Sequence, residues 1–237
     1  MRKEIANQIG KKNPQFRLRG NEILRIEAFS DAVFGFAVTL LIVSLEVPKN
    51  FEELMVTMRG FFAFGISFTI LMMIWYEQNV FFRRYGMHDV RTIALNCTLI
   101  FLVLFYVYPL KFLFTLIFSK QIYGEGHSPF VMNIEDIPKL MMIYGAGYIL
   151  IYVLFLFMYM HALRKSQQLQ LTPLEIFDTK TALYAKFVLI IIGLASVVAA
   201  LILPLRLAGL SGIIYVFIGP SYTIYYALRR RQKEKIT

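Results

Sequence analysis

The chain has 237 residues, 58% of them hydrophobic and only 17% charged, with a mean hydropathy of +0.60. That balance excludes an ordinary water-soluble domain and points to an integral membrane protein. The net charge of +10 does not argue for nucleic acid, because the basic residues fall between the apolar runs rather than in one stripe interleaved with aromatics.

Residues 1–24 contain Arg2, Lys3, Lys11, Lys12, Arg17 and Arg19 and no apolar core, which excludes a cleaved signal peptide and predicts a solvated or lipid-surface arm. Six apolar segments follow, at 26–45, 54–76, 92–118, 137–161, 182–203 and 208–228. Each is long enough to cross a hydrocarbon core, which takes about 20 helical residues. They are apolar on all sides and lack the alternation of β-barrel strands. The expected fold is therefore an all-α membrane protein with six spans in one domain, 25–228, followed by a basic cytoplasmic tail, 229–237.

The loops set an orientation. Arg83, Arg84 and Arg91 follow the second span, and Arg164, Lys165 and Lys180 follow the fourth. Glu46, Glu52 and Glu53 follow the first, and Glu125, Glu135 and Asp136 follow the third. Lys and Arg stay on the cytoplasmic side, so both termini are expected inside a cell membrane, the bacterial inner membrane being the natural setting. The longest connection, 119–138, carries Gly124, Gly126, Pro129 and Pro138 and is expected to form an ordered outer turn or a short re-entrant piece.

Enzyme chemistry finds no footing. His88, His127 and His161 are scattered without metal-ligand spacing and are expected to be solvated or interfacial. Cys97 stands alone in an apolar run, so it is expected to pack and cannot form an intrachain disulfide. No zinc-protease, phosphate-loop or nucleophile-elbow motif is present, and neither catalytic residues nor a resident metal or cofactor is expected.

The polar residues inside the spans say more, since burying them in lipid is costly unless they are paired or wet. The first span has Arg25, Glu27, Ser30, Asp31 and Thr39; the second ends in Trp75, Glu77, Gln78 and Asn79; the third has Asn96 and Thr98 before Pro109. With the orientation above, the charged members gather at one membrane level. Glu27 and Asp31 stand four apart on one helix face, where they repel unless a proton or a basic partner such as Arg25, Arg83, Arg84 or Arg91 intervenes. The cluster reads either as a brace locking three helices or as a direct contact for a transported solute.

Arg25, followed after three residues by Phe29-Ser30-Asp31, resembles the RxxxFSD signature that opens the first helix in the transmembrane protein 175 family of potassium channels. The stretch FSDAVFGFAVTLLIVSLEVP resembles that helix throughout, Trp75 with Phe82 resembles the end of the second helix, and LNCTLIFLVLFYVYP, with Asn96 and Pro109, resembles the third. The resemblance implies a homotetramer in a lipid bilayer with K+ as the permeating ion. The first helix would line the pore without a TVGYG carbonyl filter. It further implies apolar rings at Phe36, Leu40 and Val43, a hydroxyl ring at Thr39, and a supporting network of Arg25, Phe29, Ser30, Asp31, Trp75, Gln78 and Asn96. Helix periodicity independently puts 36, 39 or 40, and 43 on one stripe. Charge alone suggests Glu46 as a cation-concentrating entrance residue.

Two positions depart from the family pattern. Gln78 stands where a histidine is usual and cannot titrate near neutral pH. Phe36 stands where isoleucine or leucine is usual. The rival readings are a small proton-coupled transporter working through Asp31 or Glu27, for which inverted repeats, broken helices and mid-depth charges are not evident, and a non-conducting scaffold.

Overall fold

A computed structural model describes residues 16–20, 22–43, 48–124 and 133–233. Among them there are helices and no strands. The order is α1 (Arg25–Val43), α2 (Phe51–Tyr85), α3 (Val90–Ile117), the short α4 (Ser119–Tyr123), a 3₁₀ turn (Ile134–Asp136), α5 (Ile137–Arg164), α6 (Pro173–Ile202), a 3₁₀ segment (Leu205–Phe217) and α7 (Ile218–Lys233). Five helical stretches among the described residues have the length and apolar run to cross a membrane: Phe51–Tyr85, Val90–Ile117, Ile134–Arg164, Pro173–Ile202 and Leu205–Arg230. α1 occupies the first predicted span up to Val43, and residues 44–47 lie outside the described set.

Local chemistry sets several boundaries. Asn50 caps α2 by accepting a hydrogen bond from the Glu53 backbone N–H at 2.8 Å, and Gly86 ends it with φ 59°, a conformation glycine adopts without a Cβ penalty. α6 opens with a capping box in which Thr172 and Glu175 each satisfy the other's backbone N–H, with Pro173 at the first turn. The sixth predicted span differs from expectation: its first half is 3₁₀ and only Ile218–Lys233 is α-helical. Gly209 and Gly212 weaken helix propensity there, and Pro220 removes one backbone donor at the start of α7.

Two bundles share α3. On one side α1, α2 and α3 pack together; on the other α3 packs on α5, and α5 on α6 and the 3₁₀ segment. α1 turns Ser30, Phe34, Ala37 and Leu41 inward, at steps of four, three and four that make one buried stripe. The α3–α5 contact is close because Gly147 lies against the Tyr106 ring, where a Cβ would come within 2.4 Å. Beside it the Tyr106 hydroxyl donates to the Tyr144 carbonyl at 3.2 Å and the Tyr144 hydroxyl donates to the Pro109 carbonyl.

Of the predicted arm, residues 1–15 and 21 lie outside the described residues. Residues 16–20 do not stand free of the fold but lie against the ends of α2 and α6. The N–H groups of Arg19 and Gly20 donate to the Arg83 carbonyl at 3.2 and 3.1 Å, and Phe16 packs edge-on against Tyr85. Arg19 forks onto the buried Glu175 carboxylate at 3.0 and 2.8 Å, and the Arg17 N–H donates to the same group at 2.7 Å. A carboxylate already committed to a helix cap retains lone pairs for a guanidinium, so the arm is held by a charge-assisted pair that spacing alone does not reveal. Of the connection 119–138, only its two ends fall within the described residues.

Candidate functional site

The polar residues of α1, α2 and α3 meet through side-chain hydrogen bonds. The Trp75 indole N–H donates to Asp31 Oδ1 at 2.7 Å. The Gln78 amide donates to Asn96 Oδ1 at 2.5 Å, and the Asn96 amide donates to Ser30 Oγ at 2.8 Å. Ser30 closes the chain by donating to the Ile26 carbonyl at 2.7 Å within α1. Ser30, Gln78 and Asn96 are all buried, and each of these side chains has exchanged water for a partner in the relay. Asp31 is tied to a neutral indole on α2, not to one of the arginines considered as its partner.

The rest of α1 is arranged around that relay. Arg25 and Phe29 are exposed, as are Phe36, Thr39 and Leu40 on the side of α1 away from the Ser30–Leu41 stripe. Phe36 is 58% exposed, large for an aromatic side chain on a helix whose opposite face is fully packed. The Thr39 hydroxyl donates to the Phe36 carbonyl at 2.7 Å, which turns its lone pairs away from the helix backbone. The Val43 side chain and all of Glu46 lie outside the described residues.

Sequence reasoning missed two charged groups inside the bundle. Lys186, in the middle of α6, is 2% exposed and pairs with Glu77 of α2 at 2.7 Å; the Tyr159 hydroxyl donates to the same Glu77 oxygen at 2.9 Å. A lone lysine in the apolar run 182–203 was the signal available, since an intramembrane charge needs a partner. Lys111 of α3 donates to the Leu41 carbonyl of α1 at 2.7 Å. His161 is not solvated: it lies in the last turn of α5, 8% exposed, with Nε2 2.8 Å from Asp89 Oδ2. Asp89 also accepts from Thr92 at 2.8 Å and faces Lys165 at 3.4 Å. Burial pushes the Asp89 carboxyl up, but the hydrogen bonds from His161 and Thr92 and the charges of His161 and Lys165 outweigh it, holding it well below the usual carboxylate range.

Long apolar helices joined by a buried polar relay at one end define a multi-pass helical membrane protein. Residues 25–109 match the family model described as the endosomal/lysosomal potassium channel TMEM175. The chain is 36% identical over its whole length to a protein of Marivirga tractuosa described as a potassium channel, covering 99% of that relative. It is also 31% identical over 97 residues, 38% of this chain and 48% of the relative, to a potassium channel of Chamaesiphon minutus. Among solved structures, a variant of the potassium channel MtTMEM175 crystallised with a nanobody fusion protein superposes with a TM-score of 0.80 at 36% identity, over 92% of this chain and 98% of that one. The chain belongs to the TMEM175 family.

Proposed function

We propose that the chain is a subunit of a potassium-permeable channel and that its first helix lines the pore. The observation that carries this reading is the full-length, 36% identical match to a protein described as a potassium channel. In the proposed assembly, six-span subunits form a homotetramer in a cell membrane with both termini in the cytoplasm. The outward face of α1 supports that arrangement, because Phe36, Thr39 and Leu40 have no place in the subunit's own core.

Around a fourfold axis these side chains become stacked rings about 5 Å apart per helical turn. Phe36, Leu40 and Val43 form an apolar constriction that excludes water until it widens, in place of a TVGYG-type carbonyl filter. Thr39 supplies oxygen lone pairs to a partly dehydrated cation between them. Glu46, at the outer end, raises the local cation concentration. Arg25, Phe29, Ser30, Asp31, Trp75, Gln78 and Asn96 hold α1 at the depth and rotation the rings require. K+ is cargo here, and no resident cofactor or catalytic step is needed.

The test is K+ efflux from vesicles of purified full-length protein under an outward K+ gradient, at matched and unmatched pH across the membrane. Rapid efflux that does not saturate and does not require a proton gradient is expected. Slow, saturating, proton-coupled flux would replace the channel with a transporter, and no flux from correctly assembled protein would leave a scaffold.

A further inference from the structure

One turn of α2 faces two ways. Trp75 and Gln78, three residues apart and so on one face, carry the hydrogen bonds that run to α1 through Asp31 and, by way of Asn96, Ser30. Glu77, between them in sequence, points to the other side and meets α5 and α6. There the Glu77 carboxylate accepts from Lys186 at 2.7 Å and from the Tyr159 hydroxyl at 2.9 Å.

The Lys186 end is built as a receptor for that carboxylate. Its ammonium lies about 6 Å from the ring centres of Tyr152, Phe155, Tyr159 and Tyr222, and donates to the Tyr222 hydroxyl at 3.2 Å. Four ring faces and one hydroxyl stabilise the cation where water is excluded, while Glu77 neutralises it. Those rings belong to α5 and α7, so a change in the pair is felt by the whole outer bundle. α6 also carries the Glu175 carboxylate that holds the arm leading into α1.

We propose that Glu77 and Lys186 are positioning residues for the first helix: their ion pair anchors the 75–78 turn of α2 to the outer bundle, and that turn fixes the rotation of α1. The proposal rests on the channel reading for its consequence, which is that the pair sets how often the pore conducts. It does not set which ion passes, because neither side chain reaches the exposed stripe of α1. Loosening the pair frees the 75–78 turn to rotate, and the Trp75–Asp31 contact moves with it.

The chain's one tryptophan is Trp75, so intrinsic fluorescence reports this contact directly. The experiment compares full-length wild type with Glu77→Gln, Lys186→Met and the exchanged pair Glu77→Lys with Lys186→Glu. It measures tryptophan emission in lipid nanodiscs and single-channel currents in planar bilayers. Glu77→Gln keeps the Tyr159 hydrogen bond and the side-chain volume, and serves if the other variants assemble poorly. Each single variant is expected to shift the emission and to change open probability at least about threefold, with unitary conductance and reversal potential unchanged. The exchanged pair should recover part of both.

Wild-type emission and open probability in assembled single variants would overturn the proposal. So would a loss of assembled protein whose remaining channels open as wild type, because that is a purely structural role. Wild-type currents with unaffected variants would leave the channel reading standing, whereas silence of the wild type would remove that reading and this consequence together.

Discussion

Asp31 shows what one residue contributes. Its carboxylate is exposed in the single chain, yet it takes the one indole N–H available, so the pair fixes α1 against α2 at a defined height. Trp75→Phe keeps an aromatic ring and removes the donor; it should lower unfolding stability in detergent by about 1.5 kcal/mol, at the low end for a hydrogen bond to a charged group. Asp89 gives a pH test. Its folded carboxyl lies below the ordinary value of 3.8, so its stabilising contribution is complete above that value and disappears as pH falls through the lowered one. The melting-temperature gap between wild type and Asp89→Asn should therefore still be present at about pH 5 and close only in stronger acid. The sequence exposed Ser30, Asp31, Trp75, Gln78 and Asn96 because polar residues stand out in apolar runs. It did not expose the Asp89–His161 contact, since residues 72 apart in the chain carry no local sign of each other.

At the scale of the elements, close approach and buried charge decide more than surface pairing. Gly147→Ala would drive a methyl group into the Tyr106 ring, which is buried and hydrogen-bonded to Tyr144 and so has little room to yield. Overpacking of this kind costs about 1–3 kcal/mol, and the substitution should reduce the yield of folded protein and its melting temperature. The arm offers a contrast in ion pairs. Arg19→Gln leaves the 1% exposed Glu175 carboxylate without its guanidinium and should be strongly destabilising, whereas Lys139→Gln breaks a pair exposed at both ends and should change nothing measurable by thermal unfolding. The long helices were readable from length and hydropathy alone. The 3₁₀ course of 205–217 was not, because hydropathy is blind to which carbonyl an N–H chooses, and the docking of 16–20 was not, because a basic segment looks the same in water as on a carboxylate.

For the whole molecule, the α1–α3 relay and the outer bundle form one connected support behind an apolar face. Within a single chain that face ends at exposed Phe36, Thr39 and Leu40; in the proposed tetramer it surrounds the ion path. The residues in the sequence that resembled a known channel family lie in the first three spans, and the family model covers this region, 25–109. Spans four to six carried no motif that could be read by eye, and their Lys186, Tyr152 and Tyr222 emerge as a unit only once the helices are packed.

The most direct test of the central claim is the unitary current of purified protein in a planar bilayer with K+ on one side and Na+ on the other, recorded for wild type and Phe36→Ala. The pore reading predicts discrete currents that reverse toward the K+ equilibrium potential, and a changed conductance or reversal potential when the aromatic ring is removed. Wild-type channels whose conductance and reversal potential are untouched by Phe36→Ala would move the constriction off α1, and silence from assembled tetramers of both proteins would contradict the channel itself.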